Sequence, residues 1–165
     1  MEIYVRRAER NDVPQMLPLL EYLDAWHREA YPDRFRPHSG GGRSPHSLIK
    51  EMAEPSSEYW VAVRAGKVLG LAFYMHREIP THPLMKPESY LLLDMLVVDP
   101  AYHRKGIGKM LVDHARKRAK EEGYPRVEIK VYDNNRSALD FYDSLGYKTL
   151  TRTLELKLDG SEADK

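Results

Sequence analysis

The sequence predicts a single domain of alternating α/β order. Apolar runs of strand length alternate with segments whose apolar residues recur every three or four positions. The 165 residues suit one domain with a real core, and no repeat or second domain interrupts them.

Ile3 to Ala8 reads as the first strand. Asn11-Asp12-Val13-Pro14 starts a helix with proline in its first turn, and Met16, Leu17, Leu19, Leu20, Leu23 and Trp26 mark its apolar face. That helix ends before Tyr31-Pro32. Pro32 to Pro45, with Ser39-Gly40-Gly41-Gly42, reads as a loop on the substrate side, and Ser47 to Ala53 as a short helix. Tyr59 to Arg64 and Val68 to Met75 form a hairpin across Ala65-Gly66-Lys67. Pro80, Pro83 and Pro87 make a long connection of His76 to Tyr90. Leu91 to Val98, nearly all apolar, is a strand buried on both faces. Ile107, Leu111, Ala115 and Ala119 line a helix ended by Gly123. Val127 to Tyr132 alternates as a strand, Ser137 to Leu145 is a helix closed by Gly146, and Tyr147 to Leu158 finishes the sheet. Asp159 to Lys165 is expected to be a frayed tail.

Composition narrows the function. Twenty-six basic against 25 acidic residues create no global field for nucleic acid or a membrane surface. There is no run of eighteen apolar residues, and Met1-Glu2-Ile3-Tyr4 begins a strand rather than a signal sequence, so a soluble cytoplasmic protein is expected. Zero cysteines exclude disulfides, thiolate metal sites and a cysteine acyl carrier. The seven histidines include no His-x-x-x-His pair on a helix, so no metal site is expected. Arg116, Lys117, Arg118 and Lys120 read as a solvated helix face.

The richest stretch runs from Val97 to Val112. An apolar strand stops at Asp99-Pro100, turns through His103-Arg104-Lys105-Gly106-Ile107-Gly108-Lys109, and opens a helix. The glycines let a diphosphate approach the backbone, and the free amides and dipole of a helix start attract it. A dinucleotide fingerprint needs a small residue where Leu111 stands, and seven residues separate Val98 from Gly106. A Walker loop needs a hydroxyl where Met110 stands and a glycine at position 103. A nucleotide-binding module is thus the weaker reading.

The loop is similar to the acyl-coenzyme A loop of the GNAT N-acetyltransferase superfamily, Gln/Arg-x-x-Gly-x-Gly/Ala, with His103 at the Gln/Arg position. Downstream, Asn135-x-x-Ala138-x-x-Phe141-Tyr142-x-x-x-Gly146-Tyr147 resembles that family's second cofactor segment. The resemblance implies a mixed, mostly antiparallel sheet with splayed central strands and helices on both faces. It implies that Leu96, Val97 and Val98 offer main-chain groups to the pantetheine arm, and that an amide of this strand serves as oxyanion donor. His103 to Lys109 would bind the pyrophosphate, Asn135 and Ala138 the cofactor, and Tyr142 would lie beside the thioester sulfur.

Acyl transfer from acetyl-CoA to an amine needs a base, an oxyanion donor and an acid for the departing thiolate. Tyr142 is the candidate acid, since a phenol stays protonated at neutral pH. Asp94, the one charge in its strand, is the candidate base, directly or through water. Period two puts it on the face of Leu92, Leu96 and Val98, and burial there would raise its pKa unless it is bonded. Its other reading is a carboxylate that orders backbone amides or binds the substrate ammonium. The expected activity is acetyl transfer to a primary amine of a small molecule or peptide, a non-catalytic acyl-CoA sensor being the alternative. Asp24, Glu29, Asp33 and Glu78 are candidates to attract a cationic acceptor, and surface solubility explains them equally well. The long terminal strand offers either sheet completion or a homodimer interface.

Overall fold

The computed structural model describes residues 2–36, 43–80 and 83–158. The Ser39–Gly42 part of the first loop and the tail from Asp159 lie outside the described residues. The chain divides into two compact units, Met1–Lys130 and Val131–Lys165.

The first unit holds β1 (Tyr4–Arg7), α1 (Val13–Ala30), α2 (Pro45–Met52), β2 (Ser57–Arg64), β3 (Lys67–Ile79), β4 (Glu88–Val98), α3 (Ile107–Glu121) and β5 (Val127–Ile129). The sheet runs β1-β2-β3-β4-β5, antiparallel as far as β4 and parallel between β4 and β5. Mixed, mostly antiparallel pairing is what the motifs implied. Both faces of β2 are covered: Tyr59, Val61 and Val63 join Met16, Leu20 and Leu48 in one core, while Trp60 meets His114 of α3 on the other face. Ile107, Leu111, Ala115 and Ala119, the predicted stripe of α3, are all buried. The buried Tyr74 hydroxyl donates to the Leu111 carbonyl at 2.7 Å, so its burial leaves no unmet polar group.

Several boundaries differ from the sequence reading. β3 continues four residues past Met75, because His76 to Ile79 pair with Leu91 to Glu88 and ladder bonds tolerate polar side chains at a sheet end. The proline-rich connection therefore shrinks to residues 80–87. Ser44 caps α2 by accepting from Ser47 N–H, which starts that helix earlier than predicted.

Two larger corrections concern the strands near the C-terminus. β5 covers three residues rather than six, since its ladder stops at Leu93 opposite Ile129. The next residue, Asp94, has no partner on β3: Phe73 faces Met95 and Tyr74 faces Leu93. That is a β-bulge, which bends the bulged strand away from its neighbour. β4 continues beyond Leu93 with no pairing to β5.

The second unit contains α4 (Arg136–Ser144). Residues 148–158 form no helix or strand, against the predicted final strand. Leu150, Leu154, Leu156 and Leu158 are 69%, 90%, 83% and 90% exposed. Alternation expresses a propensity for a half-buried ladder, and a strand exists only where a neighbour supplies that ladder.

Candidate active site

β4 leads directly into the glycine loop. The Asp99 carboxylate accepts from Ala101 N–H at 3.0 Å and caps a 3-10 turn, Pro100–Tyr102. This turn accounts for the long spacing between strand and glycines. The chain then takes a left-handed φ at Arg104 (59°) and at Gly106 (79°), and α3 begins. An ideal Cβ on Gly106 would meet nothing within 4 Å, so open space lies beside that backbone. Met110 N–H is bonded to the Gly106 carbonyl, and the three amides before it, of Ile107, Gly108 and Lys109, precede the first α-helical bond. Donors at the positive end of a helix, with room at the loop backbone, fit the pyrophosphate of coenzyme A. The Ile107 side chain is 1% exposed, which anchors this turn to the core.

The loop side chains take distinct places. His103, exposed, donates Nε2–H to the Val98 carbonyl at 2.9 Å and ties the loop to the strand end. Lys105 bonds the Ala101 carbonyl and stands 4.8 Å from the Tyr102 ring centroid, which Lys67 approaches to 4.7 Å and Arg64 to 5.5 Å. Sequence reading missed Arg64 and Lys67. Their signal was the basic pair flanking the Ala65-Gly66 turn. Arg104 is exposed, and Lys109 pairs with Asp113 of its own helix.

Backbone groups alternate along β4. Asp99 N–H donates to the Leu69 carbonyl on β3, so Val97 turns its groups to that side. Leu96 and Val98 turn theirs to the side where β5 has ended.

Asp94 is exposed at the bulge rather than buried. The bulge also breaks the predicted face. Leu92 lies opposite Met75, on the side of α1, whereas Leu96 lies opposite Ala72, on the side of α3.

On the α1 side, Met95 receives Arg43 Nη2 at 3.2 Å, and Arg43 also holds Asp24 at 3.1 Å and lies 3.8 Å from Glu51. Tyr59 donates to Glu51 at 2.6 Å, and burial, then Glu51, holds its hydroxyl well above the usual phenol range. A cavity of about 450 Å³ is lined by Arg43, Ser47, Leu48, Lys50, Glu51 and Glu54. Of the acids considered for an acceptor, Asp24 is thus committed to Arg43, and Glu29 and Glu78 are exposed. The basic face of α3 is only partly solvated: Arg118 binds the buried Glu58.

In the second unit Asn135 caps α4, its side chain accepting from Ala138 N–H at 3.1 Å. Tyr142 is half-buried between Phe141 and Tyr147, whose ring centroids lie 5.1 Å and 5.8 Å away. Burial, reinforced by Tyr147, pushes the Tyr142 hydroxyl well above its ordinary value. Asn135, Ala138 and Tyr142 thus lie together on one short helix, and Asp94, Leu96 to Val98 and His103 to Lys109 lie together at the end of β4.

A mixed sheet that feeds a glycine loop at a helix start defines the GNAT class of folds. The model of the Acetyltransferase (GNAT) family matches residues 18–147, and the chain belongs to that family. It is 25% identical over 143 residues to the peptidyl-lysine N-acetyltransferase YiaC of Escherichia coli, spanning 87% of this chain and 82% of that protein. Its fold is similar to a tetramutant of the BH1408 protein of Bacillus halodurans, with TM-score 0.87 and 24% identity over 94% of this chain and 99% of that one. It is also similar to AAC(6')-Iy in complex with a bisubstrate analog, CoA-S-monomethyl-acetylneamine, with TM-score 0.72 and 14% identity over 95% and 98% of the two chains. Among the described residues no helix is long and apolar enough to cross a membrane, and no group of three His, Cys, Asp or Glu could hold a metal ion.

Proposed function

We propose that this acetyltransferase moves the acetyl group of acetyl-CoA directly to a primary amine of a small molecule or peptide. The observation that carries the reading is the start of α3, where the amides of Ile107, Gly108 and Lys109 stand beside the open backbone of Gly106. Acetyl-CoA supplies the activated acetyl group. The loop amides hold its pyrophosphate, and main-chain groups of Leu96 and Val98 receive the pantetheine arm as an added strand would be received. Val97, turned toward β3, orders that edge. Asn135 and Ala138 are read, from the resemblance, as further cofactor contacts.

Asp94, exposed on the bulge, removes a proton from the acceptor ammonium directly or through water. Tyr142 holds its proton at the hydroxyl and gives it to the departing sulfur. An amide of β4 donates to the oxyanion. With no cysteine in the chain, transfer proceeds without a thiol acyl carrier. The peptidyl-lysine relative and the complex with CoA-S-monomethyl-acetylneamine both support an amine acceptor.

Incubation with acetyl-CoA and an amine panel, followed by detection of free thiol, tests the reading. The protein contributes no thiol background. Amine-dependent thiol release is the expected result. Saturable acetyl-CoA binding with no release on any amine would support the sensor instead, with His103 tied to Val98 as the feature that sets this loop apart.

A further inference from the structure

The hairpin that joins β2 to β3 closes on a costly pair. Arg64 and Lys67 stand directly opposite one another in its last rung, where like charges repel. Ala65 and Gly66 between them both take a left-handed φ, 51° and 75°, as a tight two-residue turn requires. Gln15 of α1 pins that turn, its side-chain amide donating to the Gly66 carbonyl at 3.1 Å and its oxygen accepting from Val68 N–H at 3.0 Å. The two cations are therefore carried on a fixed support.

The 3-10 turn at the head of the glycine loop adds a third cation. The centroid of the Tyr102 ring lies 5.5 Å from the Arg64 guanidinium, 4.7 Å from the Lys67 ammonium and 4.8 Å from that of Lys105, the residue before Gly106. The ring has two faces for three cations, so its attraction offsets only part of their repulsion. Asp99 stands 3.3 Å from Lys67, and its carboxylate is already engaged by Ala101 N–H. Among the described residues no carboxylate is paired with Arg64 or Lys105. Three cations against the one carboxylate of Asp99 leave a surplus of two positive charges, and all three cations are exposed.

A phosphate monoester fits that surplus. It carries close to two negative charges at neutral pH and accepts from several donors at once. Coenzyme A has one such group, the 3′-phosphate, on the ribose next to its pyrophosphate. We propose that Arg64, Lys67 and Lys105 bind this 3′-phosphate, so that the protein distinguishes coenzyme A from its 3′-dephospho form. The assignment rests on acetyl-CoA being the ligand of the glycine loop, and it extends that site across Tyr102 to the β2–β3 hairpin.

Calorimetric titration of the intact protein with coenzyme A and with 3′-dephospho-coenzyme A provides the test. The wild type should bind coenzyme A at least about tenfold more tightly, the scale of one or two charge-assisted hydrogen bonds. Arg64→Gln/Lys67→Gln removes two charges from an exposed hairpin and leaves Lys105, beside the loop amides, in place. It should bring that preference below about threefold by weakening coenzyme A alone. The exchange Arg64→Lys/Lys67→Arg conserves charge and should keep the preference; its loss there would trace the effect to the shape of the hairpin and overturn the proposal.

Equal affinities in the wild type, or a glutamine variant that keeps the preference, would overturn the proposal and leave the cofactor reading standing. A glutamine variant that loses affinity for both forms equally would put the cations on the pyrophosphate instead, which also overturns it. Failure of the wild type to bind either form would overturn the cofactor reading and this proposal with it.

Discussion

The Glu58 carboxylate accepts from Arg118 Nε at 3.2 Å and from Arg118 Nη2 at 2.9 Å, joining β2 to α3 across the face of the sheet. Trp60 Nε1 donates to the same carboxylate at 2.7 Å and His76 Nε2 at 3.1 Å, and Glu58 is 6% exposed. Burial alone would raise its pKa. The hydrogen bonds from Arg118, Trp60 and His76 outweigh burial and lower it from 4.5 to about 2.

Acid unfolding should report this cluster. A carboxylate whose pKa is depressed in the folded state contributes stability that is fully present above the unfolded value of 4.5 and is lost as pH falls toward 2. The contribution is roughly 3 kcal/mol at neutral pH. Urea unfolding of wild type and Glu58→Gln should therefore differ above pH 4.5 and converge in stronger acid; a difference independent of pH would contradict the assignment. Arg118→Ala, which strands a buried carboxylate, should cost about 3–5 kcal/mol at pH 7.

Tyr142→Phe should lower kcat by about 10²–10⁴, the range of general acid catalysis, while KM for acetyl-CoA changes less than about threefold. With its hydroxyl raised by burial and Tyr147, Tyr142 stays protonated where an ordinary tyrosine ionises. The tyrosinate absorbance difference between wild type and Tyr142→Phe should accordingly stay flat from about pH 9 to 11. An unchanged kcat would remove Tyr142 from the chemistry.

Asp94→Asn separates two roles. As base, Asp94 takes up the ammonium proton, so the variant should lose at least about tenfold in kcat. If only KM for the amine rises, Asp94 binds the ammonium and does not move its proton.

Two glycines should fail differently. Gly106→Val forces a β-branched residue to φ 79° in open space, so KM for acetyl-CoA should rise at least about tenfold and stabilisation by coenzyme A in a thermal-shift assay should fall. Gly70→Ala would put Cβ 2.9 Å from the Val97 carbonyl and 3.3 Å from Ile107 Cγ2 at the base of the loop. Stability should drop by about 1–3 kcal/mol, read by chemical denaturation.

Local signals were legible in the chain itself. The α1 face, the α3 stripe and the Asn135 cap involve residues within a few turns of one another, and each is written in residue type and spacing. The glycine loop was legible for the same reason, as was the family. The Arg43, Asp24, Glu51 and Met95 cluster was not, because it draws on α1, α2 and β4.

What the sequence by itself determined is therefore the elements up to α4 and the motif at the turn after β4. Tertiary structure decided the rest. A bulge is a property of a pair of strands, so only the ladder with β3 puts Asp94 out of step and turns it outward. Glu58 and Arg118 carry no shared period, and only the packing of α3 on the sheet makes them partners. Residues 147–158 have strand chemistry, yet a strand is made by its neighbour, and one chain's own alternation cannot say where that neighbour lies.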